Sequence, residues 1–253
     1  MSKLRQRLDA ELLRRGLFQT RGRAQAAIMA GVVLVDGEVQ HKAGHQVAED
    51  AAIALVKDDC PYVSRGGLKL KAALDHFKLS AAGKICMDVG AATGGFSDCF
   101  LQEGAAKVYA LDVGRGQLDD RLKKDPRLVF RPETNARFLV PGTLPEKPAL
   151  AAMDVSFISL RLVLLPVLSC LSEDGALAAL IKPQFELTPE KVPGGLVKEA
   201  ADRQAAVDGV RAFFAASQAA KDGWRDCGVI ESPVRGAAKG NIEYLWLLRR
   251  DRP

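Results

Sequence analysis

A chain of 253 residues, 48% apolar and 26% charged, is long enough to bury a substantial core in one large domain or two, and its composition is ordinary for a globular protein. No stretch reaches the about 18 apolar residues of a membrane span, and residues 1–20 are charged from Lys3 onward, without the apolar run of a secretory signal. The five cysteines (Cys60, Cys86, Cys99, Cys170 and Cys227) form no C-x-x-C pair, and His41, His45 and His76 offer no ligand spacing. The expectation is therefore reduced thiols, a cytoplasmic protein and no metal, while a net charge of +5 leans toward a polyanionic partner.

Where that charge sits says more than its total. Lys3, Arg5, Arg7, Arg14, Arg15, Arg21 and Arg23 face only Asp9 and Glu11 within the first 23 residues, a balance equal to the whole net charge. Leu8, Leu12 and Leu13 fall at helical spacing before Gly16. Thr20 is placed to cap a second helix, with Ala24, Ala27 and Ile28 on its buried face and Gly31 as its stop. Residues 32–35, the Asp36-Gly37 turn and residues 38–40 predict a hairpin, with 53–56 as a closing strand. Two short arginine-bearing helices feeding a small sheet read as a nucleic-acid-binding module; a merely solvated charged helix face is the plainer alternative.

Three motifs here, Arg7-Leu-Asp-x-x-Leu12, Thr20-Arg21-x-x-Ala24 and Gly31-x-Val33-x-Val35-Asp36-Gly37, resemble the S4 RNA-binding domain. The resemblance implies structured RNA recognised through phosphates and shape, with Arg5, Arg7, Arg15, Arg21 and Arg23 as contacts. The polar, proline-bearing residues 57–62 mark the junction, so a small α+β S4 domain is placed at 1–60 and a second domain at 61–253.

The second domain opens with Arg65, a further candidate RNA contact, and a helical segment carrying Lys69. Residues 85–89 then form an apolar strand that meets Gly90; Gly94 and Gly95 open a helix over about 96–103, and 108–111 is a strand ending at Asp112. Glycines admit close backbone approach, a helix N-terminus offers unpaired N–H groups, and an acid at the next strand's tip suits ribose hydroxyls. The spacing is G-x-x-x-G-G, with Ala92 where the dinucleotide fingerprint has glycine, so it favours S-adenosylmethionine over NAD. Further along, a helix is predicted at 118–124, strands at 128–130 and 150–153, a helix at 160–171 interrupted by Pro166, an apolar strand at 176–181, a substrate loop at 187–203, a helix at 202–220 and a terminal hairpin. Strand and helix alternate, which predicts an α/β parallel sheet. Asp88, Asp112, Asp154 and Lys182 all fall at strand C-terminal ends, where ligands bind in such sheets.

The motifs Ser64-Arg-Gly-Gly-Leu-Lys69, Asp88-Val-Gly-Ala-Ala-Thr-Gly-Gly-Phe96, Asp112-Val-Gly-Arg-Gly-Gln-Leu118, Asp154-Val-Ser-Phe-Ile-Ser-Leu160, Lys182-Pro-Gln-Phe-Glu186 and Gly240-Asn-x-Glu243 resemble the FtsJ-type 2′-O-methyltransferases. With an S4 module in front, the chain resembles the TlyA (hemolysin A-like) family of ribosomal RNA methyltransferases. The resemblance implies a Rossmann-like class I methyltransferase sheet with helices on both faces. It also implies a Lys69, Asp154, Lys182, Glu243 tetrad and S-adenosylmethionine held by Asp88, Gly90, Ala91, Thr93, Gly94, Gly95, Phe96, Asp112, Val113, Asn135 and Asp154. The implied partner is ribosomal RNA or a ribosomal subunit, with neither a membrane nor an obligate protein partner. A ribose hydroxyl needs a base, and Lys182 is the candidate; Lys69 would disfavour a second ammonium beside it or bind the hydroxyl oxygen, while Asp154 and Glu243 orient both lysines. An RNA-binding protein without chemistry, a membrane-active hemolysin and an NAD oxidoreductase are the alternatives.

Overall fold

The computed structural model describes residues 5–29, 31–55, 60–115, 118–236 and 239–250. Lys3, Val56, residues 57–59, Gly116 and Gln117, all cited above, lie outside them. Contacts divide the chain into two units, Met1–Asp59 and Cys60–Pro253.

In the first unit a short strand β1 (Arg5–Arg7) runs directly into α1 (Leu8–Arg14), followed by α2 (Arg21–Met29), β2 (Val33–Val35), β3 (Glu38–Val39), β4 (Gln46–Ala48) and β5 (Ile53–Leu55). The backbone N–H of Arg23 donates to Thr20 Oγ1 at 3.3 Å, the cap expected at α2. Asp36 (φ 52°) and Gly37 (φ 86°) are both left-handed, as the two-residue turn between antiparallel β2 and β3 requires. β5 closes on the other side of β2. Leu8, Leu12, Ala24, Ile28, Val33, Val35, Val47 and Ala51 form the core. The antiparallel β1–β4 pair has no signal in the sequence, because Arg-Gln-Arg shows no apolar alternation.

The second unit contains α3 (Gly66–His76), β6 (Ile85–Val89), α4 (Gly95–Gln102), β7 (Lys107–Leu111), β8 (Leu128–Arg131), β9 (Leu150–Met153), α5 (Leu164–Ser169), β10 (Ala176–Ile181), α6 (Ala200–Ala215), α7 (Gln218–Lys221), β11 (Trp224–Glu231) and β12 (Tyr244–Arg250). Their seven-stranded sheet has the order β11-β12-β10-β9-β6-β7-β8. The five strands from β10 to β8 are parallel, whereas β12 is antiparallel to both β10 and β11. The parallel sheet and the terminal hairpin both form as expected: the β11–β12 hairpin lets β12 lie antiparallel beside β10 without a crossover helix. Alternate strand residues feed two cores. Met87, Val89, Ala151 and Met153 pack with α5 and α6 residues such as Val167, Val210 and Phe214. Cys86, Val108, Ala152 and Leu180 pack with α3 and α4 residues such as Leu70, Leu74 and Phe100. Helices thus cover both faces.

Three helix expectations change. Residues 118–124 give only a 3-10 turn, Leu122–Lys124. Between 160 and 171 the break falls at Val163 rather than at Pro166, which lies in the first turn of α5, where its missing N–H has no intrahelical acceptor to lose. The predicted 202–220 helix is two, α6 and α7, because the Ser217 hydroxyl accepts from Ala220 N at 3.4 Å and starts a new helix.

Candidate active site

From β6 the chain steps one way to β7 and β8, while β9 and β10 lie on the other side. That reversal of strand order between β6 and β9 is where an open parallel sheet leaves a crevice at its C-terminal ends. Gly90 follows β6 at φ 86°, and a Cβ there would collide with the Asp154 carbonyl oxygen beyond β9, so the two loops touch only because glycine is present. At the start of α4, a Cβ on Gly95 would strike Ser64 Oγ and approach Gly67 N, which brings the segment ahead of α3 against the same turn.

Two cavities share Gly90, Ala92, Asp154, Ser156 and Phe157 in their walls. The smaller, about 480 Å³, is lined by Asp112, Val113 and Asn135 among others. Asp112 Oδ2 accepts from Ala92 N and Oδ1 from Gly114 N, both at 2.7 Å, so this carboxylate ties its own loop to the β6 turn. Asn135 Oδ1 accepts from Arg137 N at 3.0 Å and caps a short 3-10 turn. The larger cavity, about 600 Å³, is lined by Asp88, Gly90, Ala91, Thr93, Gly95 and Phe96 on one side and by Lys69, Asp154, Lys182 and Glu243 on the other. Gly94 lines neither cavity; a Cβ on it would run into Leu122 and Leu118, so its role is packing.

Asp88 is fully buried. Its Oδ2 accepts from Ser97 N at 2.9 Å and Ser97 Oγ at 2.7 Å, while Oδ1 has no partner among the described residues. Burial pushes this carboxyl up to about 7; the two Ser97 bonds oppose the shift, and the charges of Asp154 and Asp112 add to it.

Opposite Asp88, four charged side chains alternate in sign. Lys182 Nζ lies 2.6 Å from Asp154 Oδ1 and donates to Ser156 Oγ at 2.7 Å. Asp154 Oδ2 lies 3.8 Å from Lys69 Nζ, which donates to Glu243 Oε2 at 2.6 Å. Lys69, Lys182 and Glu243 are 7%, 8% and 2% exposed, so these charges are sustained by one another rather than by water. They come from α3, from the ends of β9 and β10, and from the segment entering β12.

Residues with no role assigned from sequence alone line the walls or brace the loops that do. Phe157 has φ 62°, a left-handed backbone unusual for an aromatic residue. It is 92% exposed at the rim of both cavities, with its ring 5.3 Å from that of Phe185. Glu186 accepts from Ser159 Oγ at 2.6 Å and Leu160 N at 2.7 Å, strapping the loop after β10 to the loop after β9. Asn241 accepts from Val197 N at 2.9 Å and donates to Gly195 O at 2.8 Å, fixing part of the 187–203 segment as cavity wall. The only sequence signal for these three was their presence inside motifs.

The candidate RNA contacts divide differently. Arg5, Arg7, Arg21, Arg23 and Arg65 are exposed. Arg15 is not available as expected: Nε donates to Glu11, Nη1 to Ala51 O and Nη2 to Glu49 O, so its guanidinium clamps the first unit together. Arg23 Nη1 donates to Gln19 Oε1 at 3.3 Å.

An open α/β sheet with its cavity at this switch point, walled by a glycine turn and a charged tetrad, defines a nucleoside-cofactor enzyme of the methyltransferase type. The family model for FtsJ-like methyltransferases matches residues 62–250, and that for the S4 domain matches 6–53. The chain belongs to the FtsJ-like methyltransferases, within the S4-bearing TlyA (hemolysin A-like) family. It is 44% identical over 247 residues, 96% of this chain and 90% of the relative, to the 16S/23S rRNA (cytidine-2′-O)-methyltransferase TlyA of Mycobacterium tuberculosis. It is 37% identical to Hemolysin A of Brachyspira hyodysenteriae over 94% of this chain and 98% of that one. A solved structure from Streptococcus thermophilus, provisionally described as a hemolysin, has a TM-score of 0.74 at 39% identity, covering 100% of this chain and 91% of its own. Among the described residues no helix is long and apolar enough to cross a membrane.

Proposed function

We propose that this chain methylates a ribose 2′-hydroxyl of ribosomal RNA, at cytidine, using S-adenosylmethionine. The observation that carries the reading is the alternating Lys182–Asp154–Lys69–Glu243 array lining the same cavity as the glycine turn. The named substrate of the Mycobacterium tuberculosis relative supports the choice of RNA and base.

The donor set fits the cofactor. The unpartnered Asp88 oxygen suits a cationic amino group, backbone at Gly90, Thr93 and Gly95 suits the methionine portion, and Asp112, Val113 and Asn135 suit the nucleoside. When bound, S-adenosylmethionine supplies a methyl carbon on a sulfonium, which leaves as a neutral thioether.

Lys182 accepts the hydroxyl proton at Nζ as the ribose oxygen takes the methyl group, a step that requires its ammonium to have released a proton first. Asp154, 2.6 Å away, receives the ammonium as it forms, and Ser156 holds the Nζ direction. Lys69, fixed by Glu243, presents its charge to the ribose oxygen as negative charge develops there. Phe157 at the rim offers a face on which a nucleobase can stack. Radiolabelled methyl transfer to ribosomal subunits tests the reading: Lys182→Ala is expected to abolish transfer while calorimetric cofactor binding persists. Wild-type transfer by that variant would remove Lys182 as the base, and a wild-type chain that bound no cofactor would favour an RNA-binding protein without chemistry.

A further inference from the structure

The first unit buries two carboxylates completely, although arginines surround both. Asp9 accepts from Arg7 Nε at 3.1 Å and Nη2 at 3.0 Å, from Arg21 Nε at 3.0 Å and from Gln25 Nε2 at 2.8 Å. The grip of Arg7 holds its carboxyl well below the usual carboxylate range against the opposing effect of burial, and Gln25 and Arg21 assist. The side chains of Arg7 and Arg21 are nonetheless 47% and 55% exposed. Arg7 also lies across backbone: a Cβ on Gly44 would meet its Nη1 at 2.9 Å, so the guanidinium packs over the glycine as it stands.

Long arginine side chains normally lose rotamer freedom when they meet a ligand. Here that ordering is already done. Arg7 and Arg21 converge on one oxygen of one buried acid, Asp9 Oδ2, which holds two guanidinium groups near each other while about half of each side chain stays exposed. A guanidinium has five N–H donors; Arg7 uses two on Asp9 and Arg21 one. The remainder matches an anion with several oxygens, such as a backbone phosphate.

We propose that Arg7 and Arg21 form a preformed phosphate clamp whose positioning residue is Asp9, and that the acid strengthens RNA binding despite its charge. The clamp deepens the RNA reading above and rests on it. Simple electrostatics predicts the reverse: removing a carboxylate from a basic surface raises net charge by one and tightens RNA binding.

The test uses the full-length protein and a structured ribosomal RNA fragment, titrated at several salt concentrations. Asp9→Asn is expected to bind on the order of tenfold more weakly than wild type, the loss of pre-ordering for two rotamer-rich side chains. Arg7→Lys keeps the charge and lies on the surface, but gives up the two-point hold on Asp9. It is expected to weaken binding in the same direction, so the test survives if Asp9→Asn fails to fold. In an Arg7→Lys background, Asp9→Asn should add much less than it does alone. Equal or tighter binding by Asp9→Asn, or wild-type binding by Arg7→Lys, overturns the clamp while leaving the RNA reading intact. A wild-type protein without salt-dependent RNA binding removes both.

Discussion

A single added methyl group separates folding from catalysis in this site. Gly236 lies beside the tetrad, and a Cβ placed on it would sit 2.7 Å from Glu243 Oε1. The clashing atom is the end of a flexible side chain, so Gly236→Ala should fold, with a stability loss on the order of 1 kcal/mol. To clear the methyl group the carboxylate must retreat by a large fraction of an ångström. Its 2.6 Å contact to Lys69 then lengthens or rotates, and Lys69, whose one other charged partner among the described residues is Asp154 at 3.8 Å, is drawn off line. Misplacement of about 1 Å in a catalytic array lowers rate by roughly a hundredfold, so kcat for RNA methylation should fall by about ten- to a hundredfold. Gly236 lines the larger cavity beside the tetrad but not the smaller one that holds Asp112 and Asn135, so the dissociation constant of S-adenosylmethionine should change far less than kcat, by about threefold at most. Single-turnover transfer with calorimetric cofactor titration measures both. A variant with wild-type kcat would refute the role given to the Lys69–Glu243 contact; one that lost cofactor binding in proportion would show that Gly236 acts through the cofactor site instead.

Other consequences are as direct. Glu186→Ala removes the strap between the loops bearing Phe157 and Lys182 and should lower kcat by about tenfold; Glu186→Gln, whose amide can still accept from Leu160 N and donate to Ser159 Oγ, should recover most of it. Equal losses in both would assign Glu186 another role. Asp112→Ala frees Ala92, whose φ of 46° the carboxylate helps to hold, and should raise the KM for S-adenosylmethionine about tenfold or more with kcat at saturation little changed. Asp88 titrates in the opposite sense to a salt-bridged acid. Its folded-state value, raised by burial to about 7, lies above the usual carboxylate range, so its contribution to stability is full at low pH and is lost as pH rises toward 7. The melting temperature of Asp88→Asn relative to wild type should therefore increase between pH 5 and pH 8; a flat difference would contradict the assigned burial effect. Glu11 behaves conversely. Arg14, then Arg15, hold it down to about 2 against burial, so its contribution is present above the ordinary carboxylate range and disappears only as pH falls through about 2.

The β6–α4–β7 unit was readable because each boundary has a local cause: an apolar strand, a left-handed glycine, a helix stopped at Gly104. The tetrad was nameable only through motif resemblance. Nothing local links Lys69 to Glu243, 174 positions apart, and their contact depends on β12 returning antiparallel beside β10. A terminal hairpin was legible, but not that its last strand would pair with β10. Phe157 escaped attention because one aromatic in a loop resembles any other until its backbone and exposure are known. Arginine counting succeeded as a statement about charge and failed for Arg15, since a sequence does not show that Ala51 O and Glu49 O lie within its reach. The acids opposing the arginines looked like a deficit of positive charge, yet Asp9 and Glu11 are buried and organise the surface around them.

Ribose methylation leaves a chemical mark that no base methylation leaves, because blocking the 2′-hydroxyl makes the adjacent phosphodiester resistant to alkaline cleavage. Ribosomal subunits treated with S-adenosylmethionine and either wild-type protein or Lys182→Ala, then hydrolysed in alkali and mapped, measure the reaction at its product. The account predicts an alkali-resistant linkage at a cytidine after wild-type treatment and none after Lys182→Ala. A methyl group on a base, or an undiminished resistant linkage with Lys182→Ala, would contradict it.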